Sequence, residues 1–325
     1  MQKSRTVLLT GAAGFIGSHV SEALLGQGER VIGIDNFDPF YHRRLKEANL
    51  QNFQSHPNFT FYEESLLNFD KVMEITAKHE VSHIVHLAAK AGVRPSIIHP
   101  LQYQEYNVRG TMVMLEVARR RGINNFLFAS SSSVYGNNKK VPFSETDNVD
   151  FPVSPYAATK KAGELLCYTY HCLHGLNVFA LRFFTVYGPR QRPEMAIHKF
   201  TRLIDKGESV PVYAYGTPRR DFTYIEDIVQ GILQAINHVK GYEIINLGES
   251  QTITTNELLE SIEAALGKKA IREDLPAQPG DVDQTFADIS KARRLLNYHP
   301  HTPVAEGIGK FVEWYRENQT FLSDY

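Results

Sequence analysis

Thr6-Val7-Leu8-Leu9-Thr10-Gly11-Ala12-Ala13-Gly14-Phe15-Ile16-Gly17 is the stretch from which the fold can be read. Its first five residues are aliphatic or β-branched and read as a short strand. Gly11, Gly14 and Gly17 follow at once, and the apolar pattern from Phe15 to Leu25 opens a helix. Glycine suits a backbone that must turn tightly, approach a pyrophosphate and pack its helix on the strand. The helix N-terminus then offers free N–H groups and partial positive charge to the phosphates. The second strand, Val31–Ile34, ends at Asp35, whose carboxylate suits adenosine ribose hydroxyls and repels a 2′-phosphate. NAD is therefore expected rather than NADP. Arg43 and Arg44 follow in what reads as a polar loop.

Further along, Phe59–Tyr62, His83–His86, Phe126–Ala129 and Val178–Leu181 repeat the strand signal. Amphipathic stretches lie near 15–26, 68–79, 102–121 and 156–174. Strands apolar on both faces, alternating with helices, predict a doubly wound parallel α/β sheet. After about residue 182 prolines and glycines cluster, and strands scatter among short helices. The expected division is a cofactor domain of 1–182 and 223–248, and a smaller α/β substrate domain of 183–222 and 249–325.

With 325 residues, 42% hydrophobic and 22% charged, the chain has the composition of a globular protein with a sizeable core. A formal net charge of −1 argues against a nucleic-acid partner held by bulk electrostatics. The apolar run ending at Leu9 is too short for a secretion signal, and no apolar stretch of about 18 residues occurs, so no membrane association is expected. Cys167 and Cys172 diverge around one predicted helix, which fits a reducing cytoplasm. The thirteen histidines form no metal-ligand pattern, and no metal is expected.

Tyr156 and Lys160 stand one turn apart at a predicted helix start, after Pro155. A phenol that titrates near about 10 is a poor base at neutral pH. The Lys160 ammonium and a nicotinamide cation would both favour phenolate, and a pKa of about 7 asks for roughly 4 kcal/mol. Ser130–Ser133 follow the strand Phe126–Ala129, so their hydroxyls face the ligand crevice at strand C-termini.

GAAGFIGSH (11–19), HLAA (86–89), SSSSVYG (130–136), YAATK (156–160), RFFTVYGP (182–189) and RDFTYIED (220–227) resemble, in order and spacing, one family. It is the extended short-chain dehydrogenase/reductase family of nucleotide-sugar epimerases and dehydratases, built on the Rossmann fold. The segments IDNFDPFYHRRLKEANL (34–50), HLAAKAGVRPS (86–96), PVSPYAATKKAGELL (152–166), TVYGPRQRPEMA (185–196) and AQPGDVDQT (277–285) are most similar to its UDP-glucuronate 4-epimerising branch.

The resemblance implies a UDP-sugar substrate, NAD, and a catalytic set of Ser131, Tyr156 and Lys160. It adds Asn36, Leu87, Ala88 and Ala89 to Gly11, Gly14, Phe15, Ile16, Gly17 and Asp35 on the cofactor side. Arg220 would bind the diphosphate, Asn107 would lie beside the active-site backbone, and Gln278 and Asp281 would complete the substrate set. A homodimer through the helices near 102–121 and 156–174 is also implied.

Departures from the family pattern matter. Ser132 and Ser133 stand where dehydratases carry an Asp-Glu pair, so the acid and base for elimination across C5–C6 are missing. Thr185 replaces an asparagine, Gln278 an arginine and Ser65 an aspartate. Three hydroxyls and Arg192 could instead hold a sugar carboxylate. UDP-glucose or UDP-N-acetylglucosamine epimerisation, a lyase, and a non-catalytic NAD-binding scaffold are the rival readings.

Overall fold

The computed structural model describes residues 4–277 and 282–322. The strands of the first half are β1 (Thr6–Thr10), β2 (Arg30–Asp35), β3 (Phe59–Glu63), β4 (His83–His86), β5 (Asn125–Ser131) and β6 (Asn177–Phe183). After them come β7 (Thr185–Tyr187), β8 (Ser209–Tyr213), β9 (Arg219–Arg220), β10 (Phe222–Tyr224), β11 (Tyr242–Leu247), β12 (Ile253–Thr254) and β13 (Ile271–Leu275). Among the described residues, seven strands form one parallel sheet in the order β11-β6-β5-β4-β1-β2-β3.

Alternate residues of the strands feed two separate cores, as a period of two demands. Val7, Leu9, Val31, Val85, Leu127 and Phe179 face Val20 and Leu24 of the helix Phe15–Gly26 and Ile228 and Ile232 of the helix Ile225–His238. Leu8, Ile32, Ile84, Phe126, Phe128 and Val178 face Val72, Met114, Leu115, Cys167 and Tyr170 on the other side. Helices on both faces make this the doubly wound sheet that the strand pattern predicts.

The order reverses between β1 and β4, and that switch point opens the crevice in which ligands bind such sheets. Gly11, Asp35, Leu87 and Ser131 all fall at or just past the C-terminal ends of their strands.

Past Phe183 the chain leaves the sheet and forms three small strand pairs, β7 with β10, β9 with β12 and β8 with β13, before and after returning as β11. Two local expectations change. Arg43 and Arg44 do not lie in a loop; they open the helix Arg43–Leu50, whose buried Leu45, Asn49 and Leu50 carry a helical period hidden among charges. The stretch near 102–121 is not one regular helix. Pro100–Tyr103 runs into a wide π-helical turn, Gln104–Arg109, before the helix Gly110–Arg121. Such turns are rare and frequently accompany functional sites.

Candidate active site

The glycine loop is shaped for a close ligand. Gly11 has φ +75°, and a Cβ there would lie 3.0 Å from the Ala88 nitrogen. A Cβ on Gly17 would lie 2.0 Å from the Gly11 carbonyl oxygen, so no side chain fits. Gly14 caps the helix Phe15–Gly26 without any side-chain hydrogen bond, which leaves the first N–H groups open to an anion.

Asp35 is buried and already accepts from the N–H groups of Phe37 (2.9 Å) and Ala13 (3.2 Å). Burial raises its carboxyl above the usual range, and the Lys46 ammonium at 3.8 Å pulls it back. Two oxygens with about four lone-pair sites leave capacity for ribose hydroxyls. Arg43 is committed elsewhere, bidentate to Glu63 at 2.7 Å and over the Phe37 ring, so it is not poised for a 2′-phosphate. These features fit a dinucleotide of the NAD type.

One cleft of about 790 Å³ runs from this loop to the serine run. Gly11, Gly14, Phe15, Ile16, Gly17, Asp35, Asn36, Leu87, Ala88 and Ala89 line it at one end; Ser131, Ser132, Ser133, Tyr156, Lys160, Thr185 and Arg192 line it at the other.

The helix Pro155–His174 starts where proline and a serine cap direct it, Ser154 Oγ accepting from the Ala157 N–H at 3.1 Å. Its first turn presents Tyr156 to the cleft, which Ser131 also lines. Burial pushes the Tyr156 phenol up, while Ser131 and then the Arg192 charge pull it down.

Lys160 was expected to lower Tyr156, and here the geometry differs. Its Nζ donates to the Ala129 carbonyl at 2.7 Å and lies 6.0 Å from the Tyr156 ring centroid. Burial lowers Lys160 itself to about 7. The near-neutral pKa thus belongs to the lysine, because desolvation of a buried ammonium outweighs its distant pull on the phenol.

The strand end that carries the serines is fixed from below. Ser130 Oγ donates to Glu164 Oε1 at 2.6 Å, and Arg182 grips the same carboxylate at 2.8 and 2.9 Å. Asn107, in the π-helical turn, accepts from the Lys90 N–H at 2.8 Å and donates to the Lys90 carbonyl and Thr159 Oγ1. It is buried outside the cleft lining and ties the Lys90 backbone to the Tyr156 helix. Arg220 also lies outside the lining, with Nη1 donating to the Arg219 carbonyl at 2.9 Å. Gln278 and Asp281 fall outside the described residues.

At the serine end, Arg192 lies 3.2 Å from Glu194 and over the Phe40 ring at 5.3 Å. Asp38, Phe40, Tyr41, Lys46, Lys90, Arg94, Tyr106 and Glu194 also line the cleft, and the motif reading did not single them out. They come from loops and from short helical segments, Lys46 from Arg43–Leu50, Arg94 from Val93–Ile98 and Tyr106 from the π-helical turn, although the segments 34–50 and 86–96 that carry most of them contributed to the family resemblance. Ser65 stands aside, its Oγ accepting from the Leu67 N–H, while Glu64 and Leu66 line the adenosine end. Among the described residues there is no cluster that could hold a metal ion and no helix long and apolar enough to cross a membrane.

A family model described as GDP-mannose 4,6 dehydratase matches residues 8–311. A UDP-glucuronate 4-epimerase of Thermodesulfobacterium geofontis is 44% identical over 312 residues, 96% of each chain. The solved UDP-glucuronic acid 4-epimerase of Bacillus cereus, in complex with UDP-glucuronic acid and NAD, superposes with a TM-score of 0.89 at 36% identity, covering 96% of this chain and 99% of that one. The UDP-glucose 4-epimerase of Thermotoga maritima, solved with UDP-glucose, gives 0.88 at 32% identity, with coverage of 97% and 99%. The chain belongs to the family which that model describes, the GDP-mannose 4,6 dehydratase family of extended short-chain dehydrogenase/reductase folds.

Proposed function

We infer that the protein is an NAD-dependent 4-epimerase that interconverts UDP-glucuronate and UDP-galacturonate. The observation that carries this is the meeting, in one cleft, of Tyr156 and Ser131 with three hydroxyls and one arginine: Ser132, Ser133, Thr185 and Arg192. Full-length similarity to epimerases of UDP-glucuronate supports the same substrate. We take residues 1–182 and 223–248 as the cofactor side and 183–222 and 249–325 as the sugar-nucleotide side.

The chemistry that NAD supplies when bound is reversible acceptance of hydride from the sugar C4. Gly11, Gly14 and Gly17 with the helix start would take its pyrophosphate, and Asp35 its adenosine ribose. Tyr156 takes the C4 hydroxyl proton and later returns it, with Ser131 holding both the phenol and the sugar O4 in line. Lys160, buried and pinned to Ala129, sets the back wall of the site.

A C4 ketone beside a C5 carboxylate is a β-keto acid, which loses CO2 once the C5–C6 bond aligns with the carbonyl π system. Ser132, Ser133 and Thr185 can hold the carboxylate out of that alignment without bulk, and Arg192 adds a charge-assisted hydrogen bond. An Asp-Glu pair at 132 and 133 would repel it, so the serines favour epimerisation over elimination.

Free Cys167 and Cys172 fit a reducing cytoplasm. We read the protein as a homodimer, because Leu101, Leu165, Tyr168 and Leu173 stand exposed on the paired helices. Purified protein given UDP-glucuronate, UDP-glucose and UDP-N-acetylglucosamine in turn, with products read by NMR, should yield UDP-galacturonate fastest. Faster interconversion of UDP-glucose and UDP-galactose would sink the carboxylate reading and leave a 4-epimerase.

A further inference from the structure

Arg192 reaches the cleft from the loop between Tyr187 and the helix Ala196–Lys206, and that loop is anchored to the cofactor side of the molecule. Arg190 makes a bidentate pair with Glu22 at 2.8 and 3.0 Å and reaches Ser18 Oγ at 3.4 Å. His19 Nε2 meets the Pro189 carbonyl at 3.0 Å, and since a carbonyl only accepts, Nε2 donates. Burial and the Arg190 charge hold His19 neutral, its pKa lowered to about 4.

Ser18, His19 and Glu22 all lie on the helix Phe15–Gly26, whose N-terminus faces the cleft. The His19 ring stands edge-on to Phe15, a cleft residue, at 5.9 Å. On the other side of the loop, buried Gln191 donates to the Val186 carbonyl at 3.1 Å, and its own carbonyl meets His198 Nδ1 at 2.7 Å.

Arg190 has φ +65°, a left-handed backbone that an L-residue adopts at a cost. Such strain persists where surrounding contacts over-determine it. Here the contacts turn the chain so that Arg190 points back to the helix while Arg192, two residues on, points into the cleft. Arg192 needs such a foundation, because its own partners are a half-exposed Glu194 and one ring face. A long side chain held by those alone keeps much of its rotamer freedom.

We propose that Arg190, through Glu22 and His19, is a positioning residue that holds Arg192 on the sugar carboxylate and so keeps the keto intermediate from losing CO2. This rests on the reading of Arg192 given above. When the grip slackens, the carboxylate rotates into alignment and the C5–C6 bond breaks. Its electron pair enters the C4 carbonyl as an enolate, CO2 departs, and a proton from water fills C5. The oxidant is NAD+, which has taken the C4 hydride; release of the 4-keto-pentose leaves NADH behind, so each decarboxylation consumes one NAD+ that epimerisation would have regenerated.

The test uses the full chain loaded with NAD, with Arg190→Met, Glu22→Gln and the charge-swapped pair Glu22→Arg with Arg190→Glu. By NMR, the ratio of decarboxylated UDP-4-keto-pentose to UDP-galacturonate should rise at least about fivefold in each single variant, since misplacement by about 1 Å can cost far more. By calorimetry, the preference for UDP-glucuronate over UDP-xylose, the same nucleotide sugar without the carboxyl group, should narrow by about fivefold with affinity for UDP unchanged. The swapped pair should restore both.

An unchanged ratio and preference would overturn the proposal, and so would a uniform loss of affinity for all three nucleotides, which marks a merely structural role. Arg192→Met separates the two levels. If it too leaves product and preference unaltered, the carboxylate reading itself fails; if it alone responds, only the role of Arg190 is lost. Glu22→Gln, equal in length, carries the test should Arg190→Met fold poorly.

Discussion

Tyr156 is half-buried in the cleft beside Ser131; burial raises its phenol while Ser131 and the Arg192 charge lower it, and the cation of a bound nicotinamide would add to that lowering and favour the phenolate that takes the sugar proton. The proton must still be exchanged with the sugar, so the hydroxyl itself cannot be spared. Tyr156→Phe should lower kcat at least about 10²-fold while UDP-glucuronate affinity changes less than about threefold. Near-normal turnover would place the acid/base elsewhere.

Lys160 makes a second, independent case. Burial lowers it from 10.5 to about 7, so in that interval the unfolded chain keeps a proton that the folded chain has released. Stability of the cofactor-free protein therefore gains a contribution that rises with pH through this window, by up to about 1.4 kcal/mol per unit. Denaturant melts at several pH values should show that slope in the wild type and its loss in Lys160→Met. Equal slopes would mean that the lysine is not desolvated as described.

Among the elements, the turn from β1 into the helix Phe15–Gly26 has the least tolerance. A methyl group on Gly17 would sit 2.0 Å from the Gly11 oxygen, a backbone atom that cannot swing aside. The turn would open and the helix N-terminus would leave the cleft. The wild type should purify with NAD(H) rather than NADP(H) released on denaturation, and Gly17→Ala should purify empty. NADP from the wild type would overturn the role given to Asp35.

The strut of Glu164 and Arg182 acts at the same scale, joining the helix Pro155–His174 to β6 beneath the serines. Its net stabilisation is modest because both charges are desolvated, but loss of one partner would strand the other.

For the molecule as a whole, several exposed apolar side chains gather on neighbouring helices. Leu101 is 82% exposed on the helix Pro100–Tyr103, and Leu165 is 55% exposed on the helix Pro155–His174 that carries Tyr156. Isolated apolar residues on a surface need no explanation, but a group on adjacent helices calls for a partner. Sedimentation should find a dimer in the wild type and a monomer in Leu165→Asp. A monomeric wild type at micromolar concentration would refute the proposed homodimer.

What the sequence determined by itself is whatever depends on near neighbours in the chain. The alternation of strand and helix follows from local hydrophobic period, and the glycine loop and the Tyr156–Lys160 pair follow from residues within one or two turns of each other. Doubly wound topology follows too, since few connections satisfy parallel strands with right-handed crossovers.

Tertiary structure alone decided what those residues meet. Lys160 turns to a carbonyl 31 residues away in β5, and Arg190 finds Glu22 across 168 residues. Asn107 clamps Lys90 and Thr159 from a wide turn that no apolar period announces. Burial does the rest, because the cost of desolvating a charge depends on every element packed around it, and no local pattern carries that sum.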